Sequence, residues 1–392
     1  MTQSANGSNR ERAGSGDRER AGSGDSAGAA NPSRSPSRAE VRAERRHSRA
    51  AEQATRKQEK ASKYVSPTNL TPAGFPGSLD VAQTRKLSQF RATLIKEGVL
   101  TEGDKMFDSP YELTRFLRAR GWELDRAKAM CENTVRWRRE FGCDKLIEDF
   151  HFEEATRVMQ IYPQFNYWTD KGGRPIYIER IGRLDVPKLF KTTDTDRMLR
   201  HHVREWEIMI KIKFTASARM HGHYINQTFT VLDLKGINLS MAGSTVRKFI
   251  KTLASVDQNN YPEHLGKMFI VNAPWAFKAL WTVVKPWLDR RTQKKIDICS
   301  DKGTKKLLEW VDADKLPDFL GGTAKEPPTG WGTTDEGPWK EDMDTLKRLL
   351  AEGRRTGDMG PVRCVDFTLL LPEKALLTPK PIARCLISRH IP

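Results

Sequence analysis

Histidine and cysteine are the side chains best suited to metal or covalent chemistry, and here neither is arranged for it. The eight histidines include His201-His202 and His221/His223, but neither pair belongs to a recognised metal-ligand pattern with carboxylate or cysteine partners. A metal centre is therefore not expected. Five cysteines (Cys131, Cys143, Cys299, Cys364, Cys385) form no CxxC pair. An odd, scattered set reads as reduced thiols of a cytoplasmic protein, not a disulfide framework. No G-x-G-x-x-G follows a strand, no G-x-x-x-x-G-K-[ST] occurs, no G-x-S-x-G sits on a strand-to-helix turn, and H-E-x-x-H is missing. Nucleotide, acyl-transfer and zinc-hydrolase chemistry lose their basis; neither an enzymatic step nor a cofactor is expected.

The stretch that does call for a reason is Pro274–Asp289, PWAFKALWTVVKPWLD. Drawn as a helix, it puts Lys278, Thr282, Lys285 and Asp289 on one narrow polar stripe. Trp275, Phe277, Leu280, Trp281, Val283, Val284, Trp287 and Leu288 cover most of the rest. A helix apolar nearly all round is either buried in a core or faces lipid, and this one falls short of the roughly 20 residues that span a bilayer. Tryptophan and lysine together suit a membrane interface, and Pro286 would kink or end the helix, as a lid requires. Arg290, Arg291, Lys294 and Lys295 follow directly, a basic cluster able to contact phosphate.

The elements that must position these residues fall into four parts. Residues 1–66 form a basic tail in which RERAGSGD occurs twice in tandem, at Arg10–Asp17 and Arg18–Asp25, and large apolar residues are almost missing. Such text cannot offset the entropy of ordering and reads as disordered. Its first 63 residues carry fourteen Lys/Arg against eight Asp/Glu, about a third of the chain's formal +17. The excess favours an acidic partner, a membrane face or nucleic acid; the tail lacks stacking aromatics, so nucleic acid is not expected. Residues 67–142 read as a helical lobe. Ser109-Pro110-Tyr111-Glu112 is a capping box with proline at the first helical position, and a second helix runs from Leu124 to a stop at Gly142.

Residues 158–326 alternate short β-rich runs (174–180, 228–234, 267–272 and 295–299) with helical stretches near 195–220, 240–256 and 274–289. Strand–helix–strand alternation predicts an α/β domain on a mostly parallel sheet. Residues 327–392 are left as a C-terminal tail, with 343–392 assigned to no fold and Phe367–Leu371 as an isolated apolar piece. No apolar run approaches a signal peptide or the ~18 residues of a membrane span, so the chain is expected to be soluble and to meet membranes from the surface.

Three stretches resemble the CRAL-TRIO lipid-binding family, in its secretory phosphatidylinositol/phosphatidylcholine transfer branch. They are Arg115-Phe-Leu-Arg-Ala-Arg120 with Trp137-Arg-Arg-Glu-Phe-Gly142; Tyr162-Pro-Gln-Phe with Thr169-Asp-Lys-Gly-Gly-Arg-Pro175; and Asp233-Leu-Lys-Gly236 through Tyr261-Pro-Glu263, Asn272-Ala-Pro274, Lys285-Pro-Trp-Leu-Asp289 and Phe319-Leu-Gly-Gly322. In family order they cover roughly 75–325. The resemblance implies a helical N-terminal lobe, a sheet flooring a lipid pocket, and a mobile gate helix at Pro274–Asp289, with Trp275, Phe277, Leu280, Trp281, Val284, Trp287 and Leu288 as its apolar surface.

It further implies phosphatidylinositol headgroup contacts at Arg120, Asp170, Glu263, Thr292 and Lys295. Phosphatidylcholine contacts are implied at Thr228, Thr230, Trp206 and Tyr167. The chain departs from the pattern at Asn166 and Trp206, where tyrosines are usual, and at Gly121, where a lysine commonly follows the arginine. Tyr167 beside Asn166 and the indole of Trp206 are the expected substitutes. The implied activity is exchange of the two phospholipids between membranes, in support of phosphoinositide signalling and Golgi secretory traffic. The protein would be a cytoplasmic monomer, peripheral on anionic Golgi membrane. A lipid-sensing scaffold of the same fold, holding another hydrophobic ligand, is the alternative.

Overall fold

The computed structural model describes residues 73–356 apart from 105, 238–242, 276 and 301–302. The basic tail and Phe367–Leu371 lie outside the described residues. The lobe begins with α1 (Val81–Lys96), started by Asp80 in a capping box with Gln83. Next comes α2 (Pro110–Ala119), whose cap Ser109 accepts from the Glu112 amide. Only that half of the expected box forms there, because the Glu112 carboxylate turns to Arg115 and the Tyr224 hydroxyl. The lobe closes with α3 (Leu124–Phe141), ended by Gly142 in the left-handed region at φ 77°. Phe90, Leu94, Leu113, Phe116, Leu117 and Met130 fill the space between the three helices.

Six described strands form one sheet: β1 (Gln164–Thr169), β2 (Pro175–Glu179), β3 (Thr228–Asp233), β4 (Leu265–Val271), β5 (Ile296–Ile298) and β6 (Asp335–Glu336), in the order β5-β4-β3-β2-β1-β6. From β2 to β5 the pairing is parallel; β1 meets β2 antiparallel through the 170–174 turn and β6 parallel. The mostly parallel α/β sheet is as expected, but β1 and β6 are additions, and β1 turns polar side chains inward where a strand is normally read from inward apolar ones.

Alternation sorts the sheet into two faces. Phe165, Ile176, Ile178, Phe229, Val231, Phe269 and Val271 pack with Leu307, Leu316, Leu320 and Trp331 into a core behind it. Gln164, Asn166, Tyr177, Glu179, Thr228, Thr230, Met268 and Ile270 face the other way, into a cavity. Three helices enclose that side: α4 (Thr195–Ile208), prolonged by a π-helical turn at Met209–Lys213; α5 (Ser244–Asn260); and α6 (Phe277–Val284).

Residues 327–356 are not a tail. Trp331 belongs to the rear core, Trp339 is wholly buried, and α7 (Lys340–Ala351) presses Met343 and Leu346 against Ile208, Ile212 and Ala216. Pro/Gly-rich text hides this packing because two tryptophans and a one-sided apolar stripe anchor the segment, with no long apolar run to announce it. Among the described residues no helix is long and apolar enough to cross a membrane.

Candidate functional site

The cavity in front of the sheet measures about 1060 Å³, at the upper end of the roughly 300–1,000 Å³ that holds a drug-sized ligand. The segment expected to gate it is helical only over α6, then a 3-10 turn at Lys285–Trp287 where Pro286 removes an amide donor. No described side chain of α6 is fully buried. Phe277, Leu280, Trp281, Val284 and Leu288 border the cavity, while Lys278, Thr282 and Lys285 are exposed. Two expected gate residues stand elsewhere. Trp275 is 86% exposed, and Trp287 is half-buried beside the cavity, its carbonyl accepting from the Gln258 side chain at 2.5 Å.

At the lip, the structure gathers four of the five residues expected to meet a phosphatidylinositol headgroup: Arg120, Glu263, Thr292 and Lys295 all line the cavity. Arg120 follows the last residue of α2. Lys295 directly precedes β5, and Glu263 precedes β4 at φ 62°. Glu263 Oε2 lies 2.9 Å from Lys295 Nζ and 2.8 Å from Arg118 Nη2. Burial opposes its ionisation, but these two cations prevail and hold its carboxyl below the usual range. Burial lowers Lys295 despite Glu263, lowers Arg120, and pushes Arg118 down to about 10. The Thr292 hydroxyl donates to Asp289, which caps the short turn that carries it.

Asp170 does not join them. Its carboxylate is 1% exposed and spent on the 170–174 turn, accepting from the amides of Gly172 (3.0 Å) and Arg174 (2.8 Å) and from Arg174 Nε (2.8 Å). It shapes the β1–β2 hairpin and does not line the cavity.

The second set divides in the same manner. Thr228, Thr230 and Trp206 line the cavity; the Trp206 indole stacks on Tyr261 at 5.4 Å and donates to Asp257 at 3.0 Å. Tyr167 does not replace Asn166. Neighbours on a strand point to opposite faces, so Tyr167 lies behind the sheet against Trp331 at 5.1 Å. The phenols lining the cavity are Tyr162, Tyr261 and Tyr177, the last paired in register with Asn166.

Sequence reasoning missed this polar stretch of floor. Tyr177 donates to Gln164 (2.9 Å) and Tyr162 to Glu179; burial raises the Glu179 carboxyl. His202 meets Asp257 at 2.7 Å, and although burial works against it, Asp257 raises its pKa. Lys213, 1% exposed, donates to Asn166 Oδ1 at 2.6 Å and reaches Asp335 at 3.0 Å. A signal existed for part of it: Tyr177 and Glu179, two apart on an expected strand, share a face. Lys213 and Asp257 carry none, since only the π-helical turn and α5 bring them there.

Comparison with known proteins gives two family matches, the CRAL/TRIO domain over residues 160–322 and the CRAL/TRIO N-terminal domain over 86–133. An Arabidopsis thaliana protein named phosphatidylinositol/phosphatidylcholine transfer protein SFH4 is 42% identical over 269 residues, covering 68% of this chain and 44% of its own length. The SEC14 cytosolic factor of Yarrowia lipolytica is 38% identical over 270 residues, with coverages of 69% and 54%. The Sec14 cytosolic factor of Schizosaccharomyces pombe is 38% identical over 272 residues, with 69% of this chain and 93% of that one aligned. The chain thus spans about half the length of the first two relatives and nearly all of the third.

Proposed function

The chain belongs to the CRAL/TRIO family, and from that premise we propose that it exchanges phosphatidylinositol and phosphatidylcholine between membranes. The observation that carries this reading is one cavity of about 1060 Å³ with an apolar flap on one side and two polar patches on its wall. Two acyl chains hold on the order of thirty methylenes, each worth about 0.8 kcal/mol against water. A carrier must therefore open only when docked, so that the tails pass from bilayer to protein without crossing water. Trp275 and Val283, exposed on and beside α6, together with Lys278, Lys285 and Arg290, provide an apolar and basic surface for that dock on anionic lipid.

Inside, Arg120 and Lys295 would neutralise the phosphodiester of phosphatidylinositol, with Glu263 and Thr292 oriented toward inositol hydroxyls. Thr228, Thr230, Tyr177 and Trp206 would receive the phosphocholine, its quaternary ammonium over aromatic faces. Exchange needs no covalent step. The relatives' names support transfer of these two lipids by a cytosolic factor; the proposal extends this to phosphoinositide signalling and Golgi secretion, with the protein working from the cytoplasm as a single chain at the membrane surface.

The test is mass spectrometry of lipid co-purified under native conditions, joined to transfer assays between vesicles. Phosphatidylinositol and phosphatidylcholine in the cavity, and transfer of both, are the expected results. A sterol or other lipid without phosphate, bound without transfer, would replace this account with that of a sensing scaffold.

A further inference from the structure

One carboxylate at the lip is shared among three cations. Besides Arg118 and Lys295 on Oε2, Glu263 has Arg291 Nη1 at 3.7 Å from its Oε1. Arg120 stands close by, its guanidinium donating to the Ala119 carbonyl at 3.3 Å, with Arg126 and Asp289 as its charged neighbours. Even with the exposed Arg126 set aside, four cations against two carboxylates leave an excess of positive charge, and an anion would relieve the mutual repulsion.

These cations are not equivalent. Arg118 and Lys295 are largely buried and held at full hydrogen-bond distance by Glu263. Arg291 is 47% exposed, and 3.7 Å is too long for a hydrogen bond. Its guanidinium fork is not committed to Glu263. Its place matters too. Gly121, at φ +64°, directly follows Arg120, and Arg291 Nη2 lies 3.9 Å from where a Cβ on residue 121 would stand. With no side chain at 121, the guanidinium lies beside the backbone next to Arg120; Arg291 itself stands just outside the residues that line the cavity, while its neighbours Asp289 and Thr292 line it.

We propose that Arg291 is a phosphate-contacting cation of the lip, reaching across Gly121 so that its guanidinium and that of Arg120 close on one phosphodiester of an inositol phospholipid. This rests on the phospholipid-exchange reading and adds to it a residue that sets headgroup selectivity. Arg291 comes two residues after Asp289, at the exit of the gate segment. Its backbone amide donates to the Asp289 carboxylate at 2.8 Å, so the proposed headgroup contact is joined to the end of that segment by one short stretch of chain. A fork that binds two phosphate oxygens does this better than a point charge.

The test uses the full chain carrying Arg291→Gln or Arg291→Lys, with transfer of phosphatidylinositol and of phosphatidylcholine, each as a trace component, measured between vesicles of otherwise zwitterionic lipid. Arg291→Gln should lower phosphatidylinositol transfer about tenfold, near 1.4 kcal/mol. Phosphatidylcholine transfer should stay within about twofold and the melting temperature unchanged, as for a surface position. Arg291→Lys should fall between. Equal loss of both lipids, in step with weaker vesicle binding, would make Arg291 a docking residue and overturn the proposal; so would no change in either. A wild-type chain that carries no phosphatidylinositol defeats the exchange reading itself, whereas one that carries it as well without Arg291 defeats only this assignment.

Discussion

The lip and the polar floor line the same cavity, yet they are built with opposite charge. At the lip, Arg118, Arg120, Arg291 and Lys295 outnumber Glu263 and Asp289. On the floor, Glu179, Glu205, Asp257 and Asp335 outnumber by one the cations set among them, Lys213, Arg204 and His202. A headgroup that is anionic overall gains at the first; one ending in an ammonium gains at the second. On the exchange proposed above, a single apolar hollow would hold two phospholipids with similar tails and sort them by the sign of the head. Specificity between ligands of equal greasiness has to come from the few polar atoms they do not share.

The largest effect that would break this comparison is Glu263→Gln. Arg118 and Lys295 would then face each other without a carboxylate, and removing one member of such a buried set costs about 3–5 kcal/mol. Urea unfolding reads it directly, and a loss below about 1 kcal/mol would mean that the lip does not depend on its acid. Next comes Trp281→Asp, which harms the flap common to both ligands. Losing about 3 kcal/mol of apolar contact should reduce liposome binding and lower transfer of both lipids about a hundredfold without unfolding; unchanged transfer would remove the gate from the account.

Lys295→Ala should cut phosphatidylinositol transfer ten- to a hundredfold, about what charge-assisted hydrogen bonds contribute, and spare phosphatidylcholine. Parallel loss of both would erase the division between lip and floor. The mirror experiment, Tyr177→Phe, removes one floor hydroxyl. It should lower phosphatidylcholine transfer about fivefold, the worth of one neutral hydrogen bond, and leave phosphatidylinositol alone.

The smallest effect is in pH dependence, and its sign differs between the two regions. His202 is raised in the folded chain by Asp257, although burial opposes it. Its contribution is complete below the unfolded histidine value and is lost as pH rises through the folded one. Glu263 is lowered despite its burial, so its contribution stands above the ordinary carboxylate range and is lost as pH falls through its folded value. Melting temperature against pH should show both slopes; Asp257→Asn should flatten the alkaline one alone.

What the residues determined by themselves was local. Ser109, Pro110 and Gly142 set helix ends, because caps are decided within one turn of chain. Alternation over 174–180 and 228–234 announced strands, because the pleat has a period of two, and the motif order from Arg115 to Gly322 carried the resemblance. The apolar character of 274–289 was legible, but which of its tryptophans meets the cavity was not; that depends on where the helix ends at Pro286 and how it lies over the sheet. Asp170 and Tyr167 were misplaced for a related reason. A residue's neighbourhood in sequence does not say that Arg174 will claim its carboxylate, or that its strand turns it to the rear core. Lys213, Asp257 and Asp335 come together from three separate elements, and residues 331–351 fold only against α4 and the edge of the sheet. Burial and charge pairing between distant segments arise when the chain closes on itself, so the polar floor, the shared Glu263 and the reach of Arg291 over Gly121 belong to the tertiary structure alone.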